Sequence, residues 1–121
     1  MAKSRATYNV LTPGCPSRLL LDRIADKWTV LIIQNLANTT LRYSALQRAI
    51  GDISQKVLTQ ALRSLERDGL VRRKVYESAV PKVEYTLTSL GRTLIQPLQG
   101  LCHWSEKHLA ELEAHRSQDG R

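Results

Sequence analysis

The stretch ISQKVLTQALRSLERDG, residues 53–69, decides the fold of this chain. At about 100° per residue, a helix over this stretch has one apolar side and one polar, largely basic side. Ser54 is a typical N-cap, and Gly69 is placed where a helix can end with positive φ, so we predict a helix from Ser54 to about Asp68. The apolar side holds Val57, Leu58, Ala61, Leu62 and Leu65.

A shorter helix is predicted just before this one. Ser44 and Gln47 have the spacing of a capping box, which predicts a helix from Ser44 through Ala49. The connection between the two helices, residues 50–53, contains Gly51, where φ can be positive. Two helices joined by a turn of about three or four residues with a glycine are typical of a helix-turn-helix.

Two further helices are predicted upstream. Pro16 suits the first turn of a helix, which we expect over residues 16–26. Residues 28–37, WTVLIIQNLA, are apolar nearly all round, which predicts a core helix buried on most sides. The β-branched residues of this run also suit a buried strand, and periodicity leaves that alternative open. Residues 40–42 are a candidate short strand.

From Leu70 onward the apolar period changes from helical to two. This alternation predicts strands over residues 71–76 and 82–87, joined by a hairpin tip at 77–81. Helices followed by a helix-turn-helix and a hairpin give the order of a winged helix, in which the hairpin is the wing. We therefore predict a mainly α fold with a small β-hairpin, a winged helix-turn-helix.

A long carboxy-terminal helix is predicted next, with Thr88 or Ser89 as its cap. Pro97 should kink or interrupt it, because proline lacks the backbone N–H and clashes with the preceding turn. The apolar stripe of this helix is longer than so small a domain can cover alone, which predicts a homodimer. The expected interface residues are Leu94, Ile95, Leu98, Leu101, Cys102, Leu109 and Leu112.

Length and composition indicate one domain. The chain has 121 residues, of which 42% are hydrophobic, and we expect the domain over residues 15–113 with polar, mobile ends at 1–14 and 114–121. No apolar run approaches the about 18 residues that cross a bilayer, and the amino terminus lacks a signal peptide. We therefore expect a cytoplasmic location without a membrane partner, where two cysteines would be free thiols.

The formal charge of +7 is concentrated in the middle of the chain. Residues 42–82 carry nine basic and four acidic side chains, so this third supplies +5 of the total. Scattered surface lysines would show no such concentration. The distribution predicts a localised face that binds a polyanion such as nucleic acid.

The polar side of the helix over residues 54–68 is the candidate recognition face. Arginine can bind guanine bidentately, glutamine suits adenine, and lysine neutralises phosphate. An ordinary solvated face is the alternative, but a position in a helix-turn-helix before a basic hairpin favours duplex DNA. No aromatic residue lies on this face, which disfavours stacking on single-stranded RNA. The face carries Lys56, Thr59, Gln60, Arg63 and Arg67.

Other candidate DNA contacts flank this face. They come from the start of the shorter helix, the start of the recognition helix and the hairpin. Helix starts favour phosphate because their N–H groups are unpaired. Lys82 has an alternative role as the partner of Glu77 or Glu84. The residues are Arg42, Tyr43, Ser44, Ser54, Gln55, Arg73 and Lys82.

Enzyme motifs are missing from the sequence. It has no glycine-rich phosphate loop, no G-x-S-x-G and no pair of cysteine clusters at zinc spacing, so we expect neither an enzyme nor a cofactor. Cys102, His103, His108 and His115 could be proposed as metal ligands. His103 and His108 are five positions apart, and such positions do not share a face of a helix, so no metal site is expected.

Several motifs in order resemble the HxlR family of bacterial regulators, across about residues 15–113. The resemblance implies a winged-helix DNA-binding domain, a homodimer built from the terminal helices, and repression or activation of nearby genes. A winged-helix module that binds another protein, without sequence-specific DNA binding, is the alternative. The matching motifs are CP at 15–16, DKWTVLI at 26–32, RYS at 42–44, ISQKVLTQ at 53–60, DGLV at 68–71, VEY at 83–85, LT at 87–88 and LG at 90–91.

Cys15 is a candidate redox sensor. Many members of the family have a cysteine at this position, and some sense oxidants, quinones or aldehydes through it. The residue precedes a predicted helix whose dipole would lower the pKa of the thiol, with Arg18 one turn on. The resemblance thus implies an oxidant or small-molecule inducer, and a packing role for Cys15 is the alternative.

Overall fold

The computed structural model of the protein describes residues 7–80 and 82–118. Of the ends expected to be mobile, residues 1–6 and 119–121 lie outside the described residues, as does Pro81 of the predicted wing tip. The elements in chain order are α1 (Pro16–Ile24), α2 (Lys27–Leu36), β1 (Leu41–Arg42), α3 (Tyr43–Ile50), α4 (Gln55–Arg67), β2 (Val71–Tyr76), β3 (Lys82–Leu87), α5 (Ser89–Arg92) and α6 (Ile95–Gln118).

The helix α2 lies at the centre of the core. Ile32 and Ile33 are fully buried, and Leu36 is nearly so. The strand alternative for residues 28–37 is wrong, because a central helix can bury apolar side chains on several sides at once. Ile32, Ile33 and Leu36 share one hydrophobic core with Leu46, Leu58, Leu62, Leu65, Val71, Tyr85, Leu87 and Leu98.

The helices α3 and α4 form the predicted helix-turn-helix. Gly51, at the end of α3, has φ of 99°, and the Ser54 hydroxyl accepts the Val57 N–H at 3.1 Å, so both turn predictions are confirmed. The capping box at Ser44 is wrong, since α3 already begins at Tyr43 and has no side-chain cap. The short strand β1 leads directly into α3 and places Ser44 inside its first turn.

The recognition helix α4 ends in a Schellman motif. Gly69 has φ of 75°, and its N–H donates to the Glu66 carbonyl at 3.0 Å. The Leu70 N–H reaches back to the Leu65 carbonyl at 2.9 Å. The chain therefore turns sharply from α4 into β2, which brings the wing against the recognition helix.

The sheet has three antiparallel strands in the order β1-β3-β2. The two wing strands have the predicted boundaries and pair from Val71 with Leu87 to Tyr76 with Lys82. The candidate strand at 40–42 is also confirmed, because Leu41 pairs with Tyr85. The sheet is thus larger than the predicted two-stranded hairpin.

The carboxy-terminal region is two helices rather than one. Thr88 caps α5 by accepting the Gly91 N–H at 3.0 Å. The break falls at residues 93–94, so the prediction that Pro97 interrupts the helix is wrong. Pro97 lies in the first turn of α6, where its missing N–H costs no helical hydrogen bond.

A long helix ends the described part of the chain. With 24 residues at about 1.5 Å each, α6 is roughly 36 Å long and continues past the domain end expected at residue 113. No helix among the described residues is long and apolar enough to span a bilayer.

Candidate nucleic-acid interface

The two faces of α4 are separated as the sequence predicts. Leu58, Leu62 and Leu65 are buried against the core. The long polar side chains of the opposite face are exposed, so they are available to a partner. These are Gln55, Lys56, Gln60, Arg63 and Arg67.

Tyr43 and Thr59 connect α3 to α4. The Tyr43 hydroxyl donates to the Gln55 carbonyl at 2.9 Å and lies 3.0 Å from the Thr59 hydroxyl. Because the Tyr43 hydroxyl proton is donated to the Gln55 carbonyl, the Thr59 hydroxyl is the donor in the second hydrogen bond, and Tyr43 accepts. Both residues are half-buried, so their contacts fix the first turn of α4 relative to α3.

The starts of α3 and α4 both face solvent. Arg42 and Ser44 are exposed at the first turn of α3. Ser54, at the start of α4, is exposed as well, although its oxygen already caps the helix. The unpaired N–H groups of these two first turns are suited to phosphate oxygens.

The wing has three side chains with different surroundings. Arg73 faces α4, with its Nε 3.8 Å from Glu66 Oε1. Lys74 places its Nζ 4.8 Å from the centre of the Tyr76 ring. Lys82 is exposed at the first position of β3, and no ion pair joins it to Glu77 or Glu84 within residues 7–80 and 82–118.

A cavity of about 210 Å³ lies between α4 and the wing strands, and we call it the helix–wing crevice. Burial raises the pKa of the Tyr85 hydroxyl, an effect that the nearby Arg73 guanidinium partly opposes. The crevice therefore combines cationic, anionic and neutral hydrogen-bonding groups. Its lining residues are Thr59, Leu62, Arg63, Glu66, Arg73 and Tyr85.

The recognition helix is also joined to α1. Arg23 donates from Nε and Nη2 to the two carboxylate oxygens of Asp68, both at 3.2 Å. Asp68 is the C-cap residue of α4. A shift of α1 would thus act directly on the end of the recognition helix.

The apolar side chains of the terminal helices are only partly covered. No residue of α1 is buried, and Leu98 is the one buried residue of α6. Leu94 and Ile95 also pack against the core of their own chain. Leu98 is therefore held in the core of its own chain, whereas Leu94 and Ile95 are only partly buried there, and the interface remains a prediction.

The remaining part of α6 is open to solvent. Leu101, Trp104, Leu109 and Leu112 are each about half exposed, and Cys102 is half-buried. Trp104 stacks obliquely against His108, with ring centres 4.9 Å apart. His108 also lies 3.5 Å from Glu111.

Cys15 is the N-cap residue of α1 and is half-buried. Its Sγ lies 3.1 Å from the Ser17 hydroxyl and 3.4 Å from the Asn9 N–H. These contacts, that of Ser17 above all, hold the pKa of the thiol below its ordinary value. The direction is the one predicted; the Ser17 hydroxyl has the largest effect, and backbone N–H groups of Asn9, Ser17 and Arg18 also lower the pKa of the thiol.

A family model described as HxlR-like helix-turn-helix matches residues 23–113. The chain belongs to this family. The regulator YtfH of Escherichia coli is 40% identical over 110 residues, which are 91% of this chain and 87% of YtfH. YtfH is described as an HTH-type transcriptional regulator.

Solved structures of similar proteins share the fold of this HxlR-like chain. The ytfH regulator of Salmonella typhimurium has a TM-score of 0.84 and 38% identity, and the match covers 92% of this chain and 99% of ytfH. The redox regulator HypR in its reduced form has a TM-score of 0.74 and 37% identity over 82% of this chain and 98% of HypR. The predicted mainly helical, winged helix-turn-helix fold is confirmed.

Two residues at the site of this HxlR-like regulator were not predicted from the sequence. Glu66 is the single acidic residue of α4, a visible exception on a basic face. Tyr85 falls in a strand whose alternation places it inward, and only its pairing opposite Arg73 brings it into the crevice. The charge of Glu66 could have been noticed in the sequence, whereas the position of Tyr85 depends on the register of the sheet.

Proposed function

We propose that this HxlR-like protein binds an inverted-repeat operator in duplex DNA as a homodimer and acts in the cytoplasm as a transcriptional regulator. The observation that supports it most is the exposed basic and polar face of α4. This helix is the second of the helix-turn-helix, and such helices lie in the major groove.

The contacts divide by chemistry between bases and backbone. Gln60 and Arg63, in the middle of the face, suit base edges. Phosphate contacts come from the flanking groups, because short or cationic side chains and helix starts position the backbone without reading sequence. The flanking residues assigned to phosphate are Arg42, Ser44, Ser54, Gln55, Lys56, Arg67, Arg73 and Lys82. Tyr43 and Thr59, whose hydroxyl protons are already donated, hold the first turn of α4 in place for these contacts.

The homodimer interface is assigned to the exposed apolar side chains of the terminal helices. Leu19 is 63% exposed on α1, and Leu109 is 53% exposed on α6. Neighbouring apolar residues on both helices extend the patch, and large exposed apolar patches mark interfaces. The other members of this surface are Leu20, Leu21, Leu101, Cys102, Trp104 and Leu112.

Cys15 is proposed as the sensor of oxidants or electrophiles. A thiol with a lowered pKa is a better nucleophile near neutral pH, because more of it is thiolate. Attack of the thiolate on hydrogen peroxide forms a sulfenic acid and releases hydroxide. HypR, which is 37% identical, is described as a redox regulator, and this supports the assignment.

The test is a salt titration of binding by fluorescence anisotropy, with duplex DNA, duplex RNA and single-stranded DNA as ligands. We expect binding to duplex DNA to weaken steeply as salt rises, because each contacted phosphate releases counterions. An affinity for duplex DNA that does not change between low and moderate salt would contradict the proposal. It would favour the alternative of a protein-binding module.

A further inference from the structure

The helix–wing crevice lies between α4, which is proposed to enter the major groove, and the wing, whose Arg73 and Lys82 are proposed to contact the DNA backbone. In duplex DNA, one sugar–phosphate backbone separates each major groove from the adjacent minor groove. A helix in one groove and a hairpin over the next therefore stand on opposite sides of that backbone. With α4 in the major groove and the wing over the next groove, a phosphate of that backbone would lie over the crevice.

Arg73 and Tyr85 form a cross-strand pair at this position. They are direct partners in the register of β2 and β3, so their side chains lie on the same face of the sheet. Both line the crevice. The Arg73 guanidinium is always charged and has five N–H donors, and its Nε lies 3.8 Å from Glu66 Oε1.

The Tyr85 hydroxyl is suited to the same ligand. The residue is 8% exposed, and burial raises the pKa of its hydroxyl. A tyrosine hydroxyl is already protonated at neutral pH, and this shift acts in the same direction. A protonated phenol can donate to a phosphate oxygen. A guanidinium beside a neutral hydroxyl donor is a common arrangement for holding phosphate.

Glu66 has the opposite charge to the expected ligand. Its carboxylate lies 3.8 Å from the Arg73 Nε, which is a charge contact and longer than a good hydrogen bond. A phosphate over the crevice would meet this carboxylate at close range. Glu66 therefore competes with phosphate for Arg73.

We propose that Arg73 and Tyr85 hold one backbone phosphate of duplex DNA over the helix–wing crevice, and that Glu66 limits the affinity by competing for Arg73. The proposal rests on the proposed function, since it names a contact within the DNA interface. It adds two residues, Glu66 and Tyr85, that influence binding without contacting a base.

The first experiment measures binding of the full chain to a random-sequence duplex at several salt concentrations. Arg73→Gln should lower the slope of log affinity against log salt by about 0.9 for each bound protomer, because one phosphate contact is lost. Arg73→Lys keeps the charge and should keep the slope.

Tyr85→Phe should weaken binding at every salt concentration with no change of slope. Arg116→Gln, at the far end of α6, is the matched control and should have no effect.

The second experiment removes the competing carboxylate. Glu66→Gln should strengthen binding several-fold at low salt, whereas Glu106→Gln, which removes the same charge from α6, should not. If wild type binds duplex DNA but Arg73→Gln, Tyr85→Phe and Glu66→Gln all bind like wild type, the crevice proposal fails and the proposed function stands. If wild type binds no duplex DNA, both fail.

A third arm separates backbone phosphate from free phosphate. Thermal unfolding is measured with inorganic phosphate and with chloride at equal ionic strength. Phosphate stabilises folded proteins in general, because it is excluded from their surface, so we expect it to raise the melting temperature of wild type and Arg73→Gln by the same amount. A larger stabilisation of wild type than of Arg73→Gln by inorganic phosphate would overturn the proposal, because the crevice would then be a pocket for the free ion.

Discussion

At the scale of single residues, the side chains on α4 differ in how freely they can move. Thr59 is held by Tyr43, and Ser54 is held by the first turn of its own helix. Arg63 is exposed, although it borders the helix–wing crevice. A long exposed arginine in the middle of the helix is therefore the residue best placed to reach a base edge.

Arg63→Ala should weaken binding to a selected operator by about 1–3 kcal/mol, with a smaller loss on random DNA, if Arg63 reads a base. Anisotropy titrations on both duplexes give the two values. Arg116→Ala removes the same charge away from α4 and serves as the control. Equal losses of binding free energy on both duplexes would show that Arg63 contacts a phosphate and not a base.

Cys15 and Ser17 give a prediction about pH. Because the Ser17 hydrogen bond holds the pKa of Cys15 below its ordinary value, alkylation of this thiol should reach half its maximal rate at a lower pH than an ordinary thiol. Ser17→Ala should move that midpoint to higher pH. The rates are measured with iodoacetamide in a Cys102→Ser background, so that only Cys15 reacts.

Ser105→Ala, on α6, is the control for this experiment and should leave the midpoint unchanged. Wild type and Cys15→Ser are then treated with peroxide and titrated with duplex DNA. Loss of binding in wild type but not in Cys15→Ser is expected. A similar response in both would assign Cys15 a packing role.

At the scale of elements, α5 packs directly on the connection between α4 and β2. Thr88 Oγ1 donates to the Gly69 carbonyl at 2.6 Å, and the Thr88 N–H donates to the Leu70 carbonyl at 3.1 Å. A Cβ at Gly91 would overlap the Leu70 carbonyl oxygen. Glycine is therefore required at this position by close backbone contact.

Gly91→Ala should lower the free energy of unfolding by about 1–3 kcal/mol, because two backbone segments must separate to accept a methyl group. Urea unfolding followed by circular dichroism measures it. Gly100→Ala is the matched control, since its Cβ would meet nothing within 4 Å. This substitution in a helix should stabilise by about 0.5–1 kcal/mol. Unchanged stability of Gly91→Ala would mean that α5 is not held against Leu70.

At the scale of the whole molecule, the terminal helices contribute little to the core of their own chain. A monomer would leave the apolar side chains of α1 and α6 in water. The bidentate pair between Arg23 and Asp68 also connects α1 to the recognition helix. A dimer built on α1 and α6 would therefore fix the separation of its two recognition helices.

Leu109→Glu should convert the homodimer to a folded monomer, because Leu109 is exposed in the single chain and lies outside its core. Sedimentation velocity at micromolar concentration measures the change. Val80→Glu, in an exposed apolar position on the wing, should remain dimeric. A monomeric wild type would contradict the dimer, as would a footprint without two half-sites about 34–36 Å apart or a multiple of that distance.

The sequence by itself determined the elements whose signals are local. The faces of α4 follow from a 3.6-residue period, and the two wing strands follow from alternation between residues 71 and 87. Gly69 marks the end of α4, because few other residues adopt its positive φ. Each of these depends on neighbours within a few residues, so the pattern alone contains the information.

The tertiary structure decided the features that depend on distant partners. Pairing of β1 with β3 places the start of α3 at Tyr43 and not at the predicted cap. A separate α5 packs on Leu70, and Leu98 turns into the core of its own chain. The helix–wing crevice forms only because the register places Tyr85 opposite Arg73. These contacts join residues far apart along the chain, and local periodicity does not encode them.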